Sequence, residues 1–210
     1  IEKRGGFIRK YYQENITLAP PVLNGEGEKV QSNWFFNFLK APVAIRPWLE
    51  VRMPTFGFSD DHATQLVNFF NGLSKVEQPF VYVDDRKIPA EHIEAAKIMT
   101  SKDYFNCFSC HMQGAKTPEG PKDGWAPDLT LARQRLNPNW ILKWLKDPQK
   151  VQPGTKKPSF YPGCPDNVLG GKEDLQIEAL RDYLMSIGRG GAPEAVAAAP
   201  ARLAKAKPAK

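Results

Sequence analysis

The sequence lacks long hydrophobic runs, and it contains few cysteines and histidines. No apolar stretch approaches the roughly 18 residues that a transmembrane helix requires, so we expect no part of this sequence to cross a bilayer. Three cysteines and three histidines are present. Structural zinc sites usually take four such ligands in two separated pairs, and only one close pair of cysteines occurs here. The sequence therefore argues against a zinc-binding protein.

An initiator methionine and a signal peptide are also missing from the sequence. We therefore expect the chain to be a processed protein or a piece of a longer one. Its 210 residues allow one or two domains, and 41% apolar residues with 12 phenylalanines and 5 tryptophans can build real cores.

Most of the net charge of +6 comes from the end of the sequence. The segment after residue 188 is rich in alanine, proline and basic residues but has few large apolar side chains. We therefore expect residues 189–210 to form a disordered basic tail. No basic stripe alternates with aromatic residues in the rest of the chain, so nucleic-acid binding is not expected.

The most informative stretch runs from Cys107 to His111 and has the C-x-x-C-H pattern of covalent c-type haem attachment. The thiols of Cys107 and Cys110 lie on one side of a single turn at this spacing, where both can form thioether bonds to one porphyrin. His111 then places a ring nitrogen under the iron as the proximal ligand. A redox-active dithiol would need a βαβ context, which the flanking sequence does not show. Haem c is the expected cofactor, and its attachment implies the periplasm or another compartment outside the cytoplasm.

A second feature is an internal repeat of the sequence. In each copy a tryptophan and a later proline have the same separation, Trp34 to Pro42 in the first and Trp140 to Pro148 in the second. The matching segments are residues 19–23 and 126–129, 33–42 and 139–148, and 52–56 and 156–160. The repeat predicts two related domains.

Local signals predict helices that are joined by long loops. Asn137 and Pro138 have the pattern of an N-cap followed by proline at the first helical position, and they should start a short helix that carries Trp140. A helix from Ala90 to Tyr104 should lead into the haem motif. Apart from a short hairpin near Phe80–Val83 no sheet is expected, so the predicted fold class is all-α.

Each copy is expected to end in an amphipathic helix whose apolar stripe belongs to a core. In the first copy this helix lies around Ala63–Phe70, with Ser59 as its cap and Gly72 as its stop. In the second copy it runs from Glu173 to Ile187 and stops at Gly188. The apolar stripes are Leu66, Val67, Phe69 and Phe70 in the first copy, and Leu175, Ala179, Leu180, Tyr183, Leu184 and Ile187 in the second.

On these motifs the chain resembles a tandem class I cytochrome c, of the bacterial type that carries electrons to or from membrane respiratory complexes. The likeness covers about residues 1–188. It rests on C-x-x-C-H at 107–111, the Ala-Pro-x-Leu segment, the tryptophan-containing helix, Pro-Gly-Thr-Lys at 153–156 and Met-Pro-x-Phe at 53–56. The resemblance implies two class I cytochrome c-like domains, at residues 1–73 and 90–188, joined by a linker at 74–89.

The resemblance also implies which residues surround each iron. In this family the proximal histidine donates its second ring N–H to a proline carbonyl, which corresponds to Pro127 here and to Pro20 in the first copy. Such a contact fixes the imidazole tautomer and tunes the iron. The sixth ligand is a methionine before a proline in a later loop, which implies Met53 for the first copy.

The sequence departs from the family pattern in two places. The first copy has no C-x-x-C-H, and residues 1–6 read like the sequence after such a motif, so we expect the motif just upstream in a parent that binds two haems. Otherwise this copy has lost its haem and serves as a docking domain. In the second copy Lys157 stands in place of the methionine, so the sixth ligand is Lys157, Lys156 or absent. An amine ligand should lower the reduction potential.

The resemblance implies an electron carrier and not an enzyme. Expected partners are an upstream quinol-oxidising complex and a downstream oxidase or terminal reductase. The alternative is a peroxidase or gas sensor with an open sixth position at the second haem. It would need a distal base, and His62 and His92 are both expected to be solvated helix residues. A scaffolding subunit is compatible with either function, and Cys164 is expected to be a bystander thiol in a loop.

Overall fold

The computed structural model describes residues 23, 25–49, 52–76 and 87–187. Within these ranges the chain is helical, with isolated β-bridges but no strand, so the predicted all-α class is confirmed there. The α-helices are α1 (Glu26–Lys29), α2 (Ser32–Lys40), α3 (Asp60–Leu73), α4 (Ala90–Thr100), α5 (Ala132–Arg135), α6 (Pro138–Lys146), α7 (Pro148–Val151) and α8 (Glu173–Ser186). Short 3₁₀ turns occur at Cys107–Ser109, Lys122–Gly124, Leu129–Leu131 and Leu169–Gly171. None of the helices in the described ranges is long and apolar enough to cross a membrane.

Two pairs of helices have the same lengths and corresponding positions in the two copies of the repeat. The helices α1 and α5 have four residues each, and α2 and α6, which follow them, have nine. In each nine-residue helix a tryptophan stacks on the aromatic ring one turn later. The ring centroids lie 4.8 Å apart for Trp34 and Phe38, and 5.1 Å apart for Trp140 and Trp144. The repeated sequence thus has repeated local structure.

Two of the predicted helix starts are confirmed by their capping hydrogen bonds. The side chain of Asn137 accepts a hydrogen bond from the backbone N–H of Asn139 at 3.0 Å, and Pro138 occupies the first turn of α6. The hydroxyl of Ser59 accepts from the backbone N–H of His62 at 3.2 Å at the start of α3. In both places a side-chain oxygen satisfies an N–H group that the helix leaves without a partner.

The two copies meet along a seam that consists of residues 29–31 and 135–137, the stretches immediately before α2 and α6. Residues 30 and 136 form an antiparallel β-bridge. Two backbone hydrogen bonds cross the seam, from Gln31 to the Arg135 carbonyl at 2.8 Å and from Asn137 to the Lys29 carbonyl at 2.9 Å. The partners hold equivalent positions in the two copies, so the contact has the self-complementary form of a twofold interface.

The described residues up to 76 are called the first half, and residues 87–187 the second half. Each half has a hydrophobic core of its own. In the second half α4 lies across α8, where Ala96, Met99, Ala179 and Met185 are fully buried. In the first half the aromatic residues of α2 pack against α3, with Val67 buried at the contact. Burial of such apolar side chains is the main source of stability for both helix pairs.

The predicted end of α4 is wrong, since the helix ends at Thr100 and not at Tyr104. The backbone N–H of Phe105 turns back to the carbonyl of Met99 at 2.9 Å. Asn106 then adopts a left-handed conformation with φ of 47°. The helix ends where Ser101 becomes extended, and the turn that follows leads to the C-x-x-C-H motif.

The predicted stop of α3 at Gly72 is also wrong. Gly72 lies inside α3, which continues to Leu73, and the left-handed residue beyond the helix is Lys75 with φ of 53°. Phe69, which was assigned to the apolar stripe, is 57% exposed. Pro20, the hairpin near Phe80–Val83, Gly188, the tail at 189–210 and residues 77–86 of the linker lie outside the described residues.

Candidate functional site

The C-x-x-C-H motif forms one tight turn. Cys107 begins a 3₁₀ turn that follows the left-handed Asn106, and its carbonyl accepts the backbone N–H of His111 at 3.0 Å. Cys107 is half-buried and Cys110 is exposed, and both thiols are free. The turn therefore presents two thiols and an imidazole from consecutive positions of one short segment.

The loop after the motif holds the imidazole of His111. The backbone N–H of Ala126 donates to the carbonyl of Cys110 at 2.7 Å, which fixes this loop beside the motif. His111 Nδ1 lies 2.7 Å from the carbonyl oxygen of Pro127, the contact that the resemblance implies. A carbonyl oxygen only accepts, so Nδ1 carries the proton and Nε2 keeps its lone pair. That nitrogen is the one available to a metal.

Asp128 fixes the same loop, and the sequence reasoning missed it. One carboxylate oxygen of Asp128 accepts backbone N–H groups from Gly114 at 3.0 Å and from Thr130 at 2.9 Å. It thereby ties the segment after the motif to the 3₁₀ turn at Leu129–Leu131. An aspartate directly before an apolar turn is a capping signal, and this signal was available from the sequence.

Burial shifts the pKa values of His111 and Cys107. It lowers the pKa of His111, although the Pro127 carbonyl opposes the shift, so the imidazole is neutral at neutral pH. It also raises the pKa of the Cys107 thiol, against the nearby charge of Lys157. A reactive dithiol needs a lowered thiol pKa, so this environment disfavours thioredoxin-like chemistry.

Lys157 lies close to the motif, whereas Lys156 points elsewhere. The ammonium of Lys157 lies 4.2 Å from the ring centroid of Phe160 and donates to the Pro158 carbonyl at 3.3 Å. Burial lowers its pKa, and its charge acts on both Cys107 and His111. Lys156 is exposed and donates to the carbonyl of Asp123 at 3.1 Å.

Met53 lies in the loop before α3, in the other half of the molecule, and is 36% exposed. The structure does not bring it to the motif of the second copy. Its expected partner Pro20 lies outside the described residues, so no haem pocket of the first copy is described around Met53.

His92 is not the solvated helix residue that the sequence suggested. Its Nδ1 lies 2.8 Å from Asp182 of α8, which is fully buried and also accepts from Arg181 at 2.6 Å. His62 is exposed at the start of α3, as expected. The Cys164 thiol donates to the Gly171 carbonyl at 3.2 Å in a loop of the second half. None of these three side chains joins the motif.

The side chains around the motif fit a covalently attached haem. Two free thiols, a neutral imidazole with its Nε2 available and a half-buried lysine come together there. Among the described residues, no group of three or more histidine, cysteine, aspartate or glutamate side chains is arranged to hold a bare metal ion. Comparisons with protein-family models, with curated proteins and with solved structures find no match to this chain.

Proposed function

We propose that this chain is an electron carrier of the c-type cytochrome class, with haem c attached at Cys107 and Cys110 and its iron held by His111. The observation that carries the proposal is the hydrogen bond between His111 Nδ1 and the Pro127 carbonyl. It commits the imidazole to one tautomer and one orientation, as the protein partners of metal-bound histidines do.

Each residue of the motif has a separate part in this proposal. Cys107 and Cys110 would hold the haem through thioether bonds, each S–H adding across one vinyl group so that sulfur bonds to one carbon and hydrogen to the other. His111 would hold the iron through Nε2, and Pro127 and Asp128 keep the ring and its loop in place. Haem, when bound, supplies an iron that alternates between the ferric and ferrous states.

Lys157 is proposed as the sixth ligand. A protonated ammonium has no lone pair, and neutralising a lysine of pKa about 10.4 at pH 7 costs roughly 4–5 kcal/mol. The burial that lowers the pKa of Lys157 reduces this cost. Lys156 is exposed and bound to another loop, which disfavours it. Because methionine ligation raises the potential, an amine in its place gives a lower potential.

The first half has the role of a related class I cytochrome c-like domain in this proposal. Met53 is proposed as the sixth ligand of any haem that this half binds. Electrons would enter from a quinol-oxidising complex and leave to a terminal oxidase or reductase, in the periplasm or another compartment outside the cytoplasm.

The placement of the histidines supports a carrier over a peroxidase or gas sensor. A peroxidase needs a distal acid or base, and His92 is bound to Asp182 while His62 is exposed in the other half. Carbon monoxide distinguishes the two functions, because it binds rapidly to reduced haem with an open sixth position and is excluded from a six-coordinate carrier.

Haem attachment is tested by producing the chain in a host that matures c-type cytochromes. We expect the purified chain and the control Cys164→Ala to be coloured and to carry the added mass of one haem. The double substitution Cys107→Ala and Cys110→Ala should carry none. A colourless product from the unsubstituted chain, at its unmodified mass, would overturn the proposal.

Sixth ligation is tested by Lys157→Met, with Lys156→Met as the control. The first substitution should raise the reduction potential and introduce a methionine-to-iron charge-transfer band, because it restores the family ligand at that position. The control should leave both unchanged. A charge-transfer band already present in the unsubstituted chain would contradict lysine ligation.

A further inference from the structure

Three cations and one carboxylate interact electrostatically beside the seam. Lys29 of α1 and Arg135 of α5 hold equivalent positions in the two copies, and Arg46 lies in the loop after α2. The carboxylate is Glu26, which pairs with Lys29 at 2.6 Å. Among the described residues, positive charge is therefore in excess at this place.

Two of the three cations, Lys29 and Arg135, lie against the rings of buried tryptophans. The guanidinium of Arg135 lies 5.2 Å from the ring centroid of Trp34, and the ammonium of Lys29 lies 5.8 Å from that of Trp140. Both tryptophans are 7% exposed. Burial is the main cause that lowers the pKa of Lys29 and of Arg135, and the charge of Arg46 lowers both further.

One donor in this cluster has no acceptor among the described residues. The Nε of Arg135 is buried and makes no hydrogen bond to any of them. The ring of Trp34 attracts the cation through its face, but this does not replace a directed acceptor for a buried N–H group. Glu28, the other acid of α1, pairs with Lys143 at 2.7 Å.

We propose that the seam binds a small dianionic oxyanion of the phosphate type. One oxygen of this anion accepts a hydrogen bond from Nε of Arg135, and its second negatively charged oxygen faces Lys29 and Arg46. Guanidinium groups match the spacing of phosphate oxygens and bind them through two parallel donors. Three cations and one carboxylate leave two positive charges, which a dianion balances better than a ligand with a single carboxylate does. This site goes beyond the proposed electron-transfer function and does not depend on it.

Because residues 29 and 135 belong to different copies, the bound oxyanion would contact both halves at once. It would therefore bind the assembled seam better than a chain in which the halves have separated. Ligand binding to the folded form alone raises the thermal midpoint by mass action.

The test is calorimetric titration of the intact chain with inorganic phosphate at constant ionic strength, with chloride and acetate as comparison salts. We expect saturable heat with phosphate, much weaker heat with acetate and none with chloride. Saturating phosphate should also raise the midpoint of thermal unfolding.

Substitutions locate the site. Arg46→Gln removes an exposed charge on which the fold does not depend, and should weaken phosphate binding about tenfold, the effect of losing one charge-assisted contact. Arg135→Gln should abolish binding, and Arg135→Lys, which keeps the charge but loses Nε, should weaken it strongly. Lys102→Gln removes an exposed lysine outside the seam, in the turn after α4; it is the control and should bind like the unsubstituted chain.

Two results would overturn the proposal. One is phosphate heat no larger than that of chloride at equal ionic strength. The other is equal phosphate affinity in the Arg46→Gln and Lys102→Gln variants, since binding would then be unrelated to the seam. Because Arg46 is exposed, this comparison stays decisive even if Arg135→Gln fails to fold.

Discussion

The helices α3 and α8 each have 14 residues and each follow the nine-residue helix of their copy, yet they are buried to different extents. On α3 the buried residues are Ala63, Val67 and Asn71, which form one narrow stripe. On α8 they are Gln176, Ile177, Ala179, Leu180, Arg181, Asp182 and Met185, which cover most of the circumference.

The difference comes from a neighbour and not from the helices themselves. The helix α4 lies across α8 and covers its second face. In the described part of the chain no helix has that position on α3, where Phe69 is 57% and Leu73 is 64% exposed. Similar amphipathic segments therefore reach different burial according to what packs on them, and substitutions should cost more in α8 than in α3.

The largest effect is expected at the buried charges of α8. Asp182→Ala removes the carboxylate that faces Arg181 and His92, and should lower the free energy of unfolding by about 3–5 kcal/mol, because it leaves a buried cation without its partner. Urea denaturation measures the change. Asp174→Ala, on the exposed side of the same helix, is the control. Equal small losses in both variants would show that the pair is not buried in solution.

Truncation of an apolar side chain should also cost more stability in α8 than in α3. Met185→Ala should cost about 2–5 kcal/mol because a fully buried side chain leaves a cavity between α4 and α8. Leu73→Ala at the exposed end of α3 should change stability by less than about 0.5 kcal/mol. A comparable loss for Leu73→Ala in urea denaturation would mean that α3 is covered in the protein.

Substitution in the seam should lower the free energy of unfolding by less than substitution in the core of the second half. The side-chain amide of Gln31 donates to the carbonyls of Arg133 at 2.7 Å and Leu136 at 3.0 Å. Gln31→Ala should cost about 1–3 kcal/mol, the cost of leaving buried acceptors unsatisfied. Hydrogen exchange at the Asn137 amide should become faster. Gln65→Ala on the exposed side of α3 is the control. An equal loss of stability in this variant would show that the hydrogen bonds of Gln31 across the seam do not stabilise the fold.

The smallest effect is expected for the surface ion pair that joins the halves. Lys143 lies 2.7 Å from Glu28, with 60% and 32% of the two side chains exposed. Lys143→Ala should change the free energy of unfolding by about 0–1 kcal/mol, and less still at high salt. The same substitution at Lys97, whose partner Glu94 lies on its own helix, is the control. A clearly larger loss of unfolding free energy for Lys143→Ala would show that this ion pair helps to hold the two halves together.

Features that depend on neighbouring residues could be predicted from the sequence. Asn137 and Ser59 are helix caps as expected, because a cap is a contact over two or three residues. The all-helical character of the described ranges follows in the same way from local periodicity. For the site, the motif turn at Cys107 lies within one short segment, whereas the contact of His111 with Pro127 was expected only from the family resemblance.

Features that depend on distant residues could not be predicted. His92 looked like a solvated residue because its partner Asp182 lies far along the chain. The exposure of Phe69 depends on which helix packs on α3, and the pattern of α3 itself does not contain that information. The end of α4 was missed because Ser101 takes an extended conformation directly after Thr100, where helix propensity alone would let the helix continue.

The exchange of hydrogen bonds between Gln31 and Asn137, each with the chain segment of the other, has a consequence for the origin of the molecule. Because the two sides of the seam are equivalent segments of the repeat, the same segment could pair with its counterpart in a second, separate molecule. In-frame duplication of a gene for such a self-associating protein would convert a homodimer into one continuous polypeptide. The ancestral subunits would then have met at the place where the two copies meet today.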